Sequence, residues 1–281
     1  MSGAPGAIDA GLLGLLVLVA AGAGIGGGVL AGLLGVGGGI VIVPALYLAL
    51  QATGLASGAT MQVAVATSLA TIIFTAVSSG LAHHRRGAVD LALLRRWSPW
   101  VVLGVLAGSW LGAAADGRAM VAVFAVVAGI VALNMLVGRG DPRPVPRAAP
   151  PAAWAATGVA AGGISAMMGI GGGTVCVPIL SWLGYDIRRA VGTSAALGLV
   201  IGLPATLVYV WAGWDAGGRP PLSLGYVSLP GVAVITPFTM AFARVGARIA
   251  HAIPMRALRV CFGLFLGLTA ARMAWDLIAP A

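Results

Sequence analysis

A glycine-rich stretch occurs twice in the sequence. The copies share four glycines and a proline, 134 residues apart: Gly35, Gly37, Gly38, Gly39 and Pro44 in the first, and Gly169, Gly171, Gly172, Gly173 and Pro178 in the second. Glycine destabilises a helix by about 1 kcal/mol relative to alanine, so a glycine triplet predicts the end of a helix. Each copy lies within a long apolar run. In hydrocarbon, backbone groups freed at such a break must be buried in protein or line a cavity.

The chemistry that these breaks could perform is the binding of a small anion. A helix that restarts after a break presents free N–H groups and a partial positive charge, and both favour an anion. We assign these roles to the glycine triplets, residues 37–39 and 171–173. Two such helix starts facing each other across a pseudo-two-fold axis would hold an anion without a full charge, so that it could also leave. The alternative is that the glycines only let helices cross closely.

Two hydroxyl pairs form a second set of candidates. Thr67-Ser68 in the first half matches Thr193-Ser194 in the second, at a spacing of 126 residues. Their equivalent positions favour a role in substrate binding. The alternative is that each hydroxyl bonds to a carbonyl of its own helix, as serine and threonine often do in membrane helices.

Further polar and structural candidates lie close to these two sets. Thr174 follows the second glycine triplet directly, and Gln62 precedes the first Thr-Ser pair by five residues. We also include the two motif prolines, Pro44 and Pro178, because each follows the restart of a helix.

A charged residue inside a membrane span is a candidate for function. Arg272 lies in the last apolar segment, four residues before Asp276, and this spacing lets the two side chains pair on one helical face. His83 and His84 lie at a segment end beside arginines, and we place them at the cytoplasmic surface. The sequence names no residue for proton coupling.

The composition defines the class of protein. The chain has 281 residues, of which 60% are hydrophobic and 8% charged, and its mean hydropathy is +1.04. A soluble chain carries about 25% charged residues, so this is an integral membrane protein embedded in a lipid bilayer. The net charge is +9, but the arginines cluster between apolar runs, as cytoplasmic loops do. A nucleic-acid partner is therefore not expected.

The sequence also argues against an enzyme. A nucleotide loop needs a lysine after its glycines, and the chain contains none. It has no His-Glu-x-x-His helix, no Gly-x-Ser-x-Gly elbow and no Cys-x-x-Cys pair; its two cysteines, Cys176 and Cys261, lie in apolar segments. We therefore predict no catalytic residue, no metal site and no cofactor.

Apolar runs predict ten helical segments. They cover residues 11–34, 40–51, 61–82, 97–115, 119–137, 152–168, 174–184, 190–212, 225–243 and 257–277. The second and seventh are too short to cross a bilayer, which needs about 20 residues, so we expect them to be half-helices or re-entrant. A Pro- and Arg-rich linker at 139–151 divides the first repeat, 1–138, from the second, 152–281.

The charge pattern predicts that the two repeats are inverted. Basic stretches at 83–96, 139–147, 186–189 and 244–259 should all be cytoplasmic. This requires the third and eighth segments to run in opposite directions, which five segments per half provide. The predicted fold is an all-α polytopic membrane protein with 8–10 transmembrane segments. Small residues four apart allow helices to approach closely and would permit a homodimer.

The sequence resembles the TauE/SafE family of sulfite and organosulfonate exporters. The resemblance covers nearly the whole chain and rests on residues 35–39, 43–44 and 64–68 in the first half and 169–173, 177–178 and 190–194 in the second. One departure is Gln62, where the first half of the family often has a histidine.

The resemblance implies a transporter of the bacterial inner membrane. It implies export of sulfite, sulfoacetate or a related small organic anion, and alternating access around the glycine breaks would move it. An anion channel and a carrier of another small organic acid are alternatives within transport. An intramembrane enzyme acting on a sulfur compound is the alternative from another class.

Overall fold

The computed structural model describes residues 10–35, 37–55, 58–137, 150–249 and 255–278. Ten helices and one short hairpin make up this part of the chain. They are α1 Ala10–Leu34, α2 Gly39–Thr53, α3 Thr60–His84, α4 Leu91–Ala114, α5 Gly117–Val137, α6 Pro151–Met168, α7 Gly173–Trp182, α8 Ile187–Ala212, β1 Ser223–Leu224, β2 Val227–Ser228, α9 Leu229–Ile249 and α10 Met255–Ile278. The predicted helical membrane fold with ten segments is confirmed.

Six of the described helices are long and apolar enough to cross a membrane: α1, α3, α4, α5, α8 and α9. The helices that follow the glycine breaks are shorter, with 15 residues in α2 and 10 in α7. At 1.5 Å per residue they rise about 22 and about 15 Å, less than the hydrocarbon core of roughly 30 Å. Their predicted short length is confirmed.

The predicted starts of α4 and α9 are wrong, each because of a local interaction, and α9 also ends at Ile249 rather than at 243. Helix α4 begins at Leu91 rather than at 97, because the Asp90 carboxylate accepts a hydrogen bond from the Leu93 N–H (3.0 Å) and caps the helix. Helix α9 begins at Leu229 rather than at 225, because β1 and β2 pair as a hairpin that turns at Gly225. The predicted linker lies outside the described residues except for its last two prolines.

The helices of the two halves have equivalent neighbours. Helix α1 packs on α9, as α6 packs on α4; α2 and α7 pack on α3 and α8, respectively; α3 packs on α8, and α5 on α10. Exchanging every helix with its equivalent in the other half leaves this set of neighbours unchanged. The pattern indicates a pseudo-two-fold relation between the halves.

Equivalent helices run in opposite directions. A Cβ atom built on Gly80 of α3 would lie 3.6 Å from Ala196 of α8, and one built on Gly202 would lie 3.2 Å from the Leu69 carbonyl oxygen. Residue numbers therefore rise along α8 as they fall along α3. In α5 and α10, Gly263 packs near Leu136 in the same antiparallel sense. Inversion across a membrane requires this arrangement, and the inversion itself stays a prediction.

The stripes of small residues let helices from different halves approach closely. Cβ atoms built on Gly104 and Gly108 of α4 would overlap the carbonyl oxygens of Val159 and Gly163 in α6. Gly32 of α1 is packed as tightly against α9. These glycine stripes therefore pack against other helices of the same chain.

Basic residues gather at one end of the helix array. The Arg86 guanidinium donates a hydrogen bond to the Ala247 carbonyl (3.2 Å), and the Asp90 N–H donates one to the Thr193 hydroxyl (3.0 Å). These contacts bring together the end of α3, the starts of α4 and α8 and the end of α9. We call this end of the molecule the arginine end; its exposed arginines include Arg85, Arg86, Arg188, Arg189, Arg244 and Arg248.

A substitution at Gly104 tests the close packing of α4 on α6. Gly104→Ala should lower the free energy of unfolding by about 1–3 kcal/mol, because the new methyl group forces the helices apart. Gly14→Ala is the matched control, since Gly14 is helical and has no atom near its Cβ position; there alanine should be neutral or gain up to about 1 kcal/mol. Thermal unfolding in detergent measures both, and equal stabilities would contradict the prediction.

Candidate functional site

The first glycine break turns the chain back on itself. Helix α1 ends at Leu34, and Gly35, Gly37 and Gly38 then adopt φ angles of 67°, 74° and 77°. Only glycine occupies this left-handed region readily, which explains the run of glycines. Gly27 of α1 lies against both Gly38 and Ile42, so α2 packs back against α1. We call this pair of helices the first hairpin.

The second break has a different backbone. Helix α6 ends at Met168. Its C-cap residue Gly169 has a φ of 67°, and the next amide, that of Ile170, donates a hydrogen bond to the Ser165 carbonyl (3.0 Å). Gly172, which precedes α7, has an ordinary helical φ of −52° where its equivalent Gly38 is left-handed. The two copies of the motif therefore fold differently. Helices α6 and α7 form the second hairpin.

The tips of the two hairpins are in contact. A Cβ atom on Gly37 would lie 3.0 Å from the Cα of Gly171, the residue equivalent to Gly37. Nearby, a Cβ atom on Gly198 would lie 3.7 Å from Ile72, which is equivalent to Gly198. Equivalent residues touch only on a two-fold axis, so the pseudo-two-fold axis passes through the contact between the glycine breaks.

Two buried helix starts therefore lie at this contact. Gly38 and Gly39 at the start of α2, and Gly172 and Gly173 at the start of α7, are all buried. No side chain caps either start by a hydrogen bond. The first N–H groups of a helix have no partner within the helix, and burying them uncapped is costly. An anion held between the hairpins would satisfy them.

The two serines of the Thr-Ser pairs lie beside the breaks but differ in bonding. The Ser68 hydroxyl donates a hydrogen bond to the Gly169 carbonyl (2.7 Å) and so joins α3 to the second hairpin. Ser194 is fully buried and lies beside the second break, because its carbonyl oxygen would be 3.1 Å from a Cβ atom built on Gly172. Its hydroxyl has no partner among the described residues. The hydroxyl of Thr174, whose residue is 3% exposed, is also unpartnered there.

The two threonines of the pairs bond elsewhere. The Thr67 hydroxyl accepts a hydrogen bond from the Ser228 N–H (3.0 Å), and the Thr193 hydroxyl accepts one from the Asp90 N–H (3.0 Å). Ser228 and Asp90 directly precede α9 and α4, respectively. The two hydrogen bonds are equivalent in the two halves. Each stabilises the start of a helix, so the two threonine hydroxyls are not directed at the glycine breaks.

The two motif prolines also occupy different surroundings. Each is the sixth residue of its helix, α2 or α7. Pro44 is buried, whereas Pro178 is exposed. The structure therefore does not bring Pro178 to the buried contact between the hairpins.

A cavity of about 260 Å³ lies between α2, α3, α5 and α10, and Gln62 and Arg272 each lie beside one of its lining residues without lining it themselves. The Gln62 amide donates a hydrogen bond to the Ala115 carbonyl (2.9 Å), and its own oxygen would lie 3.9 Å from a Cβ on Gly117, which lines the cavity. Arg272 forms an ion pair with Asp276, another lining residue. This cavity lies at the start of α3, away from the arginine end.

Several residues that the sequence does not single out lie near these sites. Tyr47, Asp116 and Arg118 line the cavity beside Asp276, but they come from separate segments whose packing the sequence does not reveal. Ser165, in the last turn of α6, is fully buried and its hydroxyl has no partner in the part of the chain described. Its one available signal was a lone hydroxyl directly before the second break.

The architecture and the comparisons agree on the class of protein. A helical membrane protein whose halves meet at buried helix breaks has the architecture of a membrane transporter. The family model of the sulfite exporter TauE/SafE matches residues 19–273. The chain belongs to this family.

Three relatives are each described as a probable membrane transporter protein. The one from Haemophilus influenzae is 32% identical over 247 residues, which cover 88% of this chain and 93% of the relative. The one from Methanocaldococcus jannaschii is 25% identical over 85% of this chain and 88% of its own length. The one from Bacillus subtilis is 29% identical over 59% and 68%. No solved structure matches the chain.

Substitutions at Thr67 and Thr193 distinguish a role in stabilising helix starts from a role in substrate binding. Thr67→Val and Thr193→Val should each lower the free energy of unfolding by about 1–3 kcal/mol, because each leaves a backbone N–H without its acceptor. Thermal unfolding measures this loss. The KM for substrate of the folded fraction should be unchanged; a raised KM at normal stability would instead assign the threonines to the binding site.

Proposed function

We propose that the protein exports a small anion, such as sulfite, sulfoacetate or a related organosulfonate, across the bacterial inner membrane. The observation that carries the proposal is the contact at Gly37 and Gly171, where two buried and uncapped helix starts meet. Sulfite is named in the family description, and sulfoacetate and the organosulfonates follow from the resemblance described above. The anionic character of the substrate is argued from the helix starts.

Backbone amides and hydroxyls would bind the anion. The amides of residues 38–40 and 172–174 lie at the starts of α2 and α7. A sulfonate or sulfite group offers three oxygens that would accept hydrogen bonds from them. The unpartnered hydroxyls of Ser194 and Thr174 add two donors on the side of the second hairpin. Because no full positive charge lies among these groups, the bound anion can also leave.

Transport would require the hairpins to separate. Helix α1 runs toward the arginine end, where Gly32 packs against Ala247, while α6 runs away from that end alongside α4. The hairpins therefore approach their contact from opposite directions. Moving one hairpin away while the other stays in place would open the site toward one side at a time, which is alternating access.

The competing functions give different measurable results. An anion channel would show flux that does not saturate and no counterflow. An enzyme acting on a sulfur compound would release a chemically changed product, and we propose that this protein returns its substrate unchanged. A carrier of another organic acid would exchange that acid but neither sulfite nor sulfoacetate.

Counterflow in proteoliposomes tests the site. Ser194→Ala and Thr174→Val should each raise the KM for sulfite or sulfoacetate by about tenfold, since a hydrogen bond to a charged group contributes about 1.5–3 kcal/mol. Stability should change little, because neither hydroxyl has a partner in the described structure to lose.

Ser109→Ala is the matched control for Ser194→Ala. Ser109 is also a fully buried helical serine, but its hydroxyl donates to the Val105 carbonyl of its own helix. This variant should transport with the KM of the unmodified protein. Wild-type KM in both Ser194→Ala and Thr174→Val would contradict the proposed site, and absence of counterflow with both substrates in folded protein would contradict the substrate class.

Cysteine labelling tests the membrane orientation. In a background where Cys176 and Cys261 are alanine, Asp215→Cys, in the exposed loop after α8, should react with an impermeant maleimide in intact cells. Arg188→Cys, at the opposite end of α8, should react only after permeabilisation, because basic ends face the cytoplasm. Labelling of both positions from the same side would contradict the predicted crossing of the membrane by α8.

A further inference from the structure

A cavity of about 230 Å³ at the arginine end is lined by four arginines. Arg85 and Arg86 come from the end of α3 and the turn that follows it, and Arg244 and Arg248 come from the last turns of α9. Two alanines, Ala82 and Ala247, complete the lining. The four arginines belong to parts of the chain about 160 residues apart, so only the packing of α3 on α9 brings them together.

The positive charge of this cavity is not neutralised by neighbouring acids. None of its four arginines forms an ion pair with a carboxylate in the described residues, and Arg86 bonds only a backbone carbonyl. The two acids at the same end, Asp90 and Asp186, accept hydrogen bonds from the N–H groups that begin α4 and α8. The cavity therefore carries a net positive charge, which favours an anionic ligand.

An apolar surface leads from the hydrocarbon region to these arginines. Phe74, Val77 and Leu81 are 45%, 42% and 51% exposed and follow one face of α3. On α9, Phe238 and Val245 are 36% and 40% exposed. Large exposed apolar side chains in a membrane helix face lipid chains, and on α3 they lead along the helix to Arg85 and Arg86 at its end.

We propose that this cavity binds the phosphate of an anionic phospholipid whose acyl chains lie along α3 and α9. Arginine binds phosphate oxygens by paired hydrogen bonds, and basic pockets between membrane helices on the cytoplasmic side bind lipid head groups. The apolar stripes separate this ligand from free phosphate, because a soluble anion would make no use of them. The inference does not depend on the transported substrate.

Thermal unfolding in detergent with added short-chain lipids tests the proposal. Dioctanoyl phosphatidylglycerol should raise the Tm of the full chain in a saturable manner. Dioctanoyl phosphatidylcholine and sodium phosphate, at matched ionic strength, should raise it much less. In Arg244→Gln with Arg248→Gln, the apparent affinity for phosphatidylglycerol should fall on the order of tenfold.

The matched control is Arg188→Gln with Arg189→Gln. It removes the same charge at the same end of the molecule but outside the cavity, and its affinity for phosphatidylglycerol should stay within twofold of that of the unmodified protein. Arg85→Gln serves as a second cavity variant if the first unfolds. Equal losses in cavity and control variants would overturn the proposal, because they would indicate general charge attraction. An equal Tm rise with phosphate alone would overturn it in favour of a free-anion site.

Discussion

The need to satisfy backbone hydrogen bonds in hydrocarbon governs this structure. Two helices stop inside the apolar region, and each interruption frees N–H and C=O groups that lipid cannot bond. The protein buries both interruptions against each other at Gly37 and Gly171. Some freed groups find partners there: the Gly169 carbonyl accepts from Ser68, and the Ile170 amide donates to Ser165. The helix starts of α2 and α7 keep their amides uncapped.

Holding the interruptions in place requires the halves to be intertwined. Each hairpin is fixed by its longer helix, α1 or α6, which packs through glycines against a helix of the other half. Thr67 and Thr193 then tie the helices α3 and α8 to the starts of α9 and α4, again across the halves. Close backbone contact replaces the hydrophobic driving force that lipid removes. The same packing keeps the two glycine breaks in contact.

The duplicated halves are not chemically equal. Gly38 is left-handed where Gly172 is helical, and the Ser68 hydroxyl is bonded where that of Ser194 has no partner among the described residues. The free hydroxyls thus gather at the second break. The cavities at the two ends of α3 also differ in charge. At the end of α3 every charged lining residue is an arginine, whereas Asp116, Asp276 and Arg118 line the cavity at its start. Divergence of the halves gives a near-symmetric fold an asymmetric site and asymmetric surfaces.

The sequence by itself determined the membrane class, the ten segments, the two short helices and the positions of both breaks, because apolar run length and glycine content act locally. It could not show that Gly37 meets Gly171 or that Thr193 bonds Asp90. It also left Gln62 and Arg272 as separate candidates, although each lies beside a residue that lines the same cavity. Only the tertiary structure decided these points, because each depends on contacts between residues far apart in the chain.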